Sequence, residues 1–149
     1  RKKQTVAIAT FRKSLQYKGL RNLALMRVLF ENKPLNIAAD TNHLWADITF
    51  LEQVLINLVK NALEANASLV TLNFSQSHQQ SIITVVDDGH GFANIDNLFV
   101  PLFTTKADGQ GIGLSFCRNI IEQHNGSITL VNNNTSGVTV TIKLPLKND

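Results

Sequence analysis

The sequence predicts an α+β domain, a two-layer sandwich of long antiparallel strands with helices to one side. Apolar residues recur at helical spacing over 20–31, 48–66 and 112–124. Segments 69–75, 82–86, 127–131 and 138–144 alternate apolar and polar residues, as half-buried strands do. The strict strand–helix alternation of a doubly wound parallel sheet is absent.

Taken in order, residues 5–17 have weak helical periodicity and read as the end of a helix, broken at Gly19. Leu20, Leu23, Ala24 and Val28 share one face of a second helix, with Arg27 as the exception, and Asn32, Lys33 and Pro34 stop it. Residues 35–40 read as a strand and 43–47 as a short second one leading into a helix. That helix, 48–66, has the clearest pattern: Leu51, Leu55, Leu58, Ala62 and Ala65 recur at helical spacing. Polar residues 78–81 join the next two strands as an antiparallel hairpin. Residues 88–110 have no sustained period. The helix over 112–124 ends at Asn125-Gly126, a C-cap signal, and a turn-rich loop, 132–137, joins the last two strands.

A length of 149 residues suits one domain, and 44% hydrophobic against 17% charged residues is enough to bury a core. The single cysteine, Cys117, excludes an intramolecular disulfide and a Cys-rich zinc site. No apolar run approaches the roughly 20 residues of a membrane span. The basic start lacks the apolar core of a signal peptide. It opens without Met inside what reads as a helix, so a fragment of a longer chain is expected. Residues 1–33 hold nine Lys and Arg against one acid, whereas 34–149 hold five against ten. That basic front lacks any nucleic-acid-binding motif and reads first as a solvated helix face. His90 and His124 read as surface residues.

Three features carry chemistry. Five of the eight glycines fall between 89 and 113, and Gly109-Gln110-Gly111-Ile112-Gly113 opens directly into a helix. Such a turn presents free N–H groups and the positive helix end to an anion, typically phosphate; as a lone string it reads first as a plain loop. Asp87-Asp88-Gly89-His90-Gly91 ends an apolar strand. It reads either as a carboxylate aimed into a cavity, able to accept from an exocyclic amine, or as a strand-end turn. On the helix over 48–66, Asn57, Asn61 and Glu64 lie within roughly 60° of one another, bordering the apolar face. They are oxygen ligands of the kind Mg²⁺ accepts beside phosphates, or a wet helix edge.

Together these segments resemble the GHKL ATPases, and within them the catalytic ATP-binding domain of sensor histidine kinases of the nitrogen-regulation type. QVLINLVKNALEA (53–65) is similar to the N box, VVDDGHGF (85–92) to the G1 box, FVPLFTTK (99–106) to the F box, GQGIGLSFCRNIIEQHNG (109–126) to the G2 box and its helix, and GVTVTIKLP (137–145) to the closing strand. The resemblance covers about residues 20–146 in the family's order. It implies the Bergerat fold, a mixed and mostly antiparallel sheet with about three helices on one face. Residues 1–18 would then end a dimerisation and phosphoacceptor helix or its linker, and 19–149 would form the catalytic domain.

The resemblance also implies roles. Asp87 would accept from the adenine amine. Asn61 would coordinate Mg²⁺ bridging the phosphates of ATP, supported by Asn57 one turn earlier. Gly89 and Gly91 would let the backbone pass close to the base. Residues 92–108 would form a lid over ATP, anchored by Phe99 and Phe103. Thr104, Thr105 and Lys106 would face the terminal phosphates, with Asn57 and Lys106 as the catalytic pair. Gly109, Gly111 and Gly113 would bring N–H groups to the phosphates, and Leu114 would join the nucleotide site. Glu64 stands where many relatives have Lys or Arg, and Val100 replaces a frequent Glu. Val138 follows Gly137 where Thr is usual, so a hydroxyl contact to the base is missing or comes from Thr139.

Gyrase-like members carry a Glu, which activates water, where this chain has Asn57, and an amide is a poor general base. The implied activity is therefore transfer of the γ-phosphate of ATP to a histidine on a separate dimerisation domain of the same parent. A response-regulator receiver would be a further partner, nucleic acid would not, and the domain would be cytoplasmic, with a membrane-bound parent left open. The alternatives are a GHKL-type hydrolase and an anti-sigma-type serine kinase.

Overall fold

A computed structural model of the chain describes residues 3–9, 35–41, 43–65, 67–90, 112–133 and 135–146. The helix expected over 20–31 lies outside them, as do residues 91–111 with Gly91, Phe99, Val100, Phe103, Thr104, Thr105, Lys106, Gly109 and Gly111.

Among the described residues, seven strands and two long helices follow in the order β1 (Gln4–Ala7), β2 (Leu35–Ala39), β3 (His43–Ala46), α1 (Ile48–Glu64), β4 (Val70–Gln76), β5 (Gln80–Asp87), α2 (Ile112–Gln123), β6 (Ser127–Asn132) and β7 (Val138–Pro145). The main sheet has the order β2-β4-β5-β7-β6. Only β2 and β4 are parallel; the other neighbours are antiparallel. This is the mixed, mostly antiparallel α+β sandwich, with two helices described.

One expectation is corrected. Residues 4–7 are not helical: β1 pairs antiparallel with β3, Gln4 opposite Ala46 and Ala7 opposite His43, as a separate two-stranded sheet. Val6 is buried, so tertiary pairing with a distant strand overrides a weak helical period.

Helix α1 forms where the pattern is strongest. Leu51, Val54, Leu55, Leu58, Val59 and Ala62 make one buried stripe. Asp47 caps it: its Oδ1 accepts from the N–H groups of Thr49 and Phe50 at 3.1 and 3.3 Å. A cap of this type contributes about 1 kcal/mol. Leu72 and Phe74 of β4, Ile83 and Val85 of β5, and Val140, Ile142 and Leu144 of β7 alternate inward beneath the helices. Ser81 and Asp87 occupy inward positions of β5 too, so the sheet's period alone drives the Asp87 carboxyl under the helix layer.

Helix α2 ends in a Schellman motif. The Gly126 N–H donates to the Ile121 carbonyl and the Asn125 N–H to that of Glu122, both at 2.9 Å. Asn125, not the glycine, takes the left-handed conformation, φ 60°. Gly126 is needed for proximity: a Cβ there would overlap the carbonyl oxygen of Lys143 in β7.

His124 is a second correction. It is buried, not on the surface, because both ring nitrogens find backbone partners. Nε2 accepts from the Asp47 N–H at 3.0 Å, and Nδ1 lies 2.9 Å from the Ile120 carbonyl. The Lys3 ammonium donates to the His124 carbonyl at 3.2 Å. One residue thus joins the end of α2 to the start of α1. His90 is exposed, as expected.

Candidate functional site

The last turns of α1, the end of β5, the start of α2, and strands β6 and β7 enclose a pocket with about 320 Å³ of empty space including its open mouth. Asn61 and Asp87 supply its polar part. Leu58, Leu114, Leu130, Val138 and Val140 form apolar walls, with Ala62 and Ala65 from α1. An apolar pocket with few placed polar groups is the ordinary form of a small-molecule site.

Asp87 is the inward residue at the last position of β5, only 9% exposed. Its Oδ1 accepts from the Gly89 N–H at 2.9 Å, and the Val138 N–H also binds the carboxyl. Burial pushes the carboxyl above the ordinary aspartate value; those two N–H groups and His90 oppose the rise, and the charge of Asp88 adds to it. Gly89 abuts the end of α1: a Cβ there would stand 2.6 Å from the Ala65 carbonyl oxygen. The next N–H, of His90, donates to that same oxygen at 3.0 Å.

Asn57 is not among the pocket's lining residues. It sits half-buried one turn before Asn61, where its Nδ2 approaches the Cys117 sulfur of α2 at 3.9 Å and its Oδ1 accepts from Gln53 at 3.2 Å. Burial pushes the Cys117 thiol up to about 12, so it stays a neutral packing group. Gly113 lies in the first turn of α2, beside pocket residue Leu114.

Val138 and Val140 face the pocket, so the intervening Thr139 projects from the other face of the sheet. Its hydroxyl donates to Asn133 Oδ1 at 2.6 Å. The strand therefore presents Val138, with no hydroxyl, to the pocket, and Thr139 does not supply one. Sequence reasoning missed Leu58, Leu130 and Val140 as pocket residues, since an apolar period cannot distinguish a pocket wall from a core; it singled out Val138 only for its missing hydroxyl. It also missed Asn133 and Ser136, which look like loop residues; Gly137 before an alternating strand was the available signal.

The chain matches the family described as histidine kinase-, DNA gyrase B-, and HSP90-like ATPase over residues 46–148. It belongs to that family. Relatives include the sensor histidine kinase ZraS of Escherichia coli (strain K12), 41% identical over 105 residues, covering 68% of this chain and 23% of ZraS. The sensor protein FixL of Bradyrhizobium diazoefficiens is 42% identical over 107 residues, covering 67% of this chain and 21% of FixL. The chain thus spans less than a quarter of those relatives' length. Among solved structures, the nucleotide-free catalytic domain of histidine kinase ThkA superposes with a TM-score of 0.75 at 28% identity, covering 99% of this chain and 100% of that one. The fold of this ATPase-family chain is that of a histidine kinase catalytic domain, and its pocket lies within the matched residues. No helix among the described residues is long and apolar enough to cross a membrane.

Proposed function

We propose that this chain is the ATP-binding catalytic domain of a sensor histidine kinase, passing the γ-phosphate of ATP to a histidine on a separate dimerisation domain of the same parent. The observation that carries the reading is that Asp87 and Asn61, from different elements, line one pocket. Adenine fits between the apolar walls and donates from its exocyclic amine to Asp87, a charge-assisted bond. Gly89 keeps the strand exit close to α1 on that side.

Asn61 faces the phosphate side. Mg²⁺ takes one or two protein oxygens and completes its shell with water and phosphate oxygens, so a single amide oxygen suits it. When bound, the ion neutralises phosphate charge. Thr104, Thr105 and Lys106 contact the terminal phosphates, and the N–H groups at Gly109, Gly111 and Gly113 cradle them. Asn57, one turn before Asn61 and in contact with Cys117 of α2, cannot take a proton from water, so hydrolysis is slow. The remaining work is positioning and charge neutralisation, the ordinary requirement of phosphoryl transfer. The acceptor is a ring nitrogen of the partner histidine; it forms the P–N bond as the bond from phosphorus to the β–γ bridging oxygen breaks and ADP leaves. The basic front, residues 1–33, is the docking side for an acidic receiver domain, and the whole works on the cytoplasmic side of its parent.

Mixing the chain with Mg²⁺, labelled ATP and a dimeric histidine-hairpin domain tests the reading. Acid-labile label on the hairpin is expected. Steady phosphate release by the chain alone, or acid-stable label on a serine, would overturn it.

A further inference from the structure

The last paired rung of β5 and β7 is Val86 opposite Thr139. Beyond it the chain runs through Asp87, Asp88 and Gly89, and side chains of the β6–β7 loop receive their carbonyls. Asn133 Nδ2 donates to the Asp87 carbonyl at 3.2 Å and to the Ser136 carbonyl at 3.0 Å. The Ser136 hydroxyl lies 2.6 Å from the Gly89 carbonyl and 3.0 Å from that of Asp88. The loop closes on itself through the Asn133 N–H, which donates to the Gly137 carbonyl at 2.8 Å.

The orientation of the Asn133 amide follows from chemistry. Carbonyl oxygens only accept, so the NH₂ end must face Asp87 and Ser136. Oδ1 is then left toward Thr139, whose hydroxyl donates to it. The result is a chain from the outer face of β7, through Asn133, to the peptide of the residue whose carboxylate enters the pocket. Asn133 itself does not line the pocket. Gly137 makes the approach tight: a Cβ there would stand 2.9 Å from Asp87 Oδ1.

We infer that Asn133 is a positioning residue for recognition of the base: held by Thr139, it fixes the Asp87 peptide so that the carboxylate meets the exocyclic amine of adenine. This rests on the placement of adenine against Asp87 proposed above. A loop that merely stabilised the fold would affect every nucleotide alike. A positioning role affects only the bond made by the 6-amino group.

The test compares calorimetric affinities for ATP and for purine riboside triphosphate, which lacks that amine, in the intact chain. Asn133→Asp keeps the size and the acceptor and removes the donor. The charge it adds also raises Asp87, as that of Asp88 does, so the uncharged Thr139 variants decide between positioning and charge. The preference for ATP should fall about tenfold, the worth of one hydrogen bond to a charged group. Thr139→Val should lower the preference in the same direction, and Thr139→Ser should restore it; this pair carries the test if Asn133→Asp does not fold. Asp87→Asn, run in parallel, should abolish the preference. If Asp87→Asn abolishes it while Asn133→Asp and Thr139→Val leave it intact, or lower both affinities together, the positioning role is wrong and the base site stands. If Asp87→Asn leaves the preference unchanged, the base site is wrong and the inference falls with it.

Discussion

Replacing Gly137 with alanine measures how closely the β6–β7 loop is fitted to Asp87. Gly137 has φ 87°, a left-handed conformation that costs a residue with a side chain about 1–2 kcal/mol. The added Cβ would overlap the Asp87 carbonyl oxygen and stand 2.6 Å from its carbonyl carbon. Comfortable carbon–carbon separations are about 3.5–4 Å, so the strand end must retreat by roughly 1 Å. That retreat breaks two bonds, from Asn133 to the Asp87 carbonyl and from the Val138 N–H to the Asp87 carboxyl, at about 1 kcal/mol each. The total is about 3–4 kcal/mol, or roughly 10–15 °C in Tm for a domain of this size. Gly126→Ala is the matched control. Its Cβ would overlap the Lys143 carbonyl at the opposite end of β7, with Leu144 Cδ2 at 3.0 Å. Urea unfolding should show both variants destabilised. Calorimetric titration, at a temperature where both are folded, should show ATP binding weakened about tenfold or more in Gly137→Ala and changed less than about twofold in Gly126→Ala. Equal ATP affinity in Gly137→Ala and the parent chain would refute the coupling between loop and carboxylate.

His124→Leu leaves the Asp47 N–H buried without its acceptor and should cost about 1–3 kcal/mol in thermal unfolding; an unchanged Tm would show that another group replaces it. Cys117, with its thiol pushed up to about 12 by burial, should resist iodoacetamide at mildly alkaline pH while folded and react once unfolded; rapid labelling of the folded chain would contradict its placement. Because the folded carboxyl of Asp87 is raised, its contribution to stability is fully present below the ordinary value of 3.8 and is lost as pH rises through the raised value. If adenine pairs with the ionised carboxyl as proposed, ATP binding should weaken as pH falls through that value in the parent chain but not in Asp87→Asn; parallel pH profiles would remove Asp87 from the site. Asp88 is held below the ordinary value chiefly by the Ser68 hydroxyl and then by the Leu69 N–H. Its contribution is present above 3.8 and lost as pH falls through the depressed value, and its NMR titration should move upward in Ser68→Ala.

The elements legible in the sequence are those whose burial follows a local period. Helix α1, the β4–β5 hairpin, α2 and the β6–β7 pair each repeat an apolar residue at a spacing their own geometry dictates. Strand β1 was not legible, because its four residues are extended only through pairing with β3, some 40 positions away. The parallel pairing of β2 with β4 leaves no local trace either. In the site, Asp87 stands out because it ends an apolar strand, and Asn61 because it borders an apolar helix face with a group that has chemistry. Val140 and Leu130 do not, since a wall of a binding pocket and a wall of the core use the same residues. His124 misleads for a related reason. A polar residue is expected outside unless its partners are known, and its partner at Asp47 lies 77 residues away.

The two polar residues of the pocket are held by contacts formed next to them. Asn61 lies one turn from the exit of α1 and Asp87 at the exit of β5. Those exits are tied together: the His90 N–H donates to the Ala65 carbonyl at 3.0 Å. The Asp88 carboxylate accepts from the Ser68 and Leu69 N–H groups at 2.7 and 3.1 Å, and from the Ser68 hydroxyl. At its other end α1 is pinned through Asp47 and His124 to α2, whose first turn reaches the pocket at Leu114. The two polar groups of the pocket, Asn61 and Asp87, therefore keep their spacing before any ligand arrives. Ordering them is part of folding and not of binding, so less of the binding free energy is lost to arranging the site. Cutting the tie between the exits with Ser68→Ala should therefore weaken ATP and ADP binding by the same factor, whereas a loss confined to ATP would show that Asp88 acts on the terminal phosphate instead.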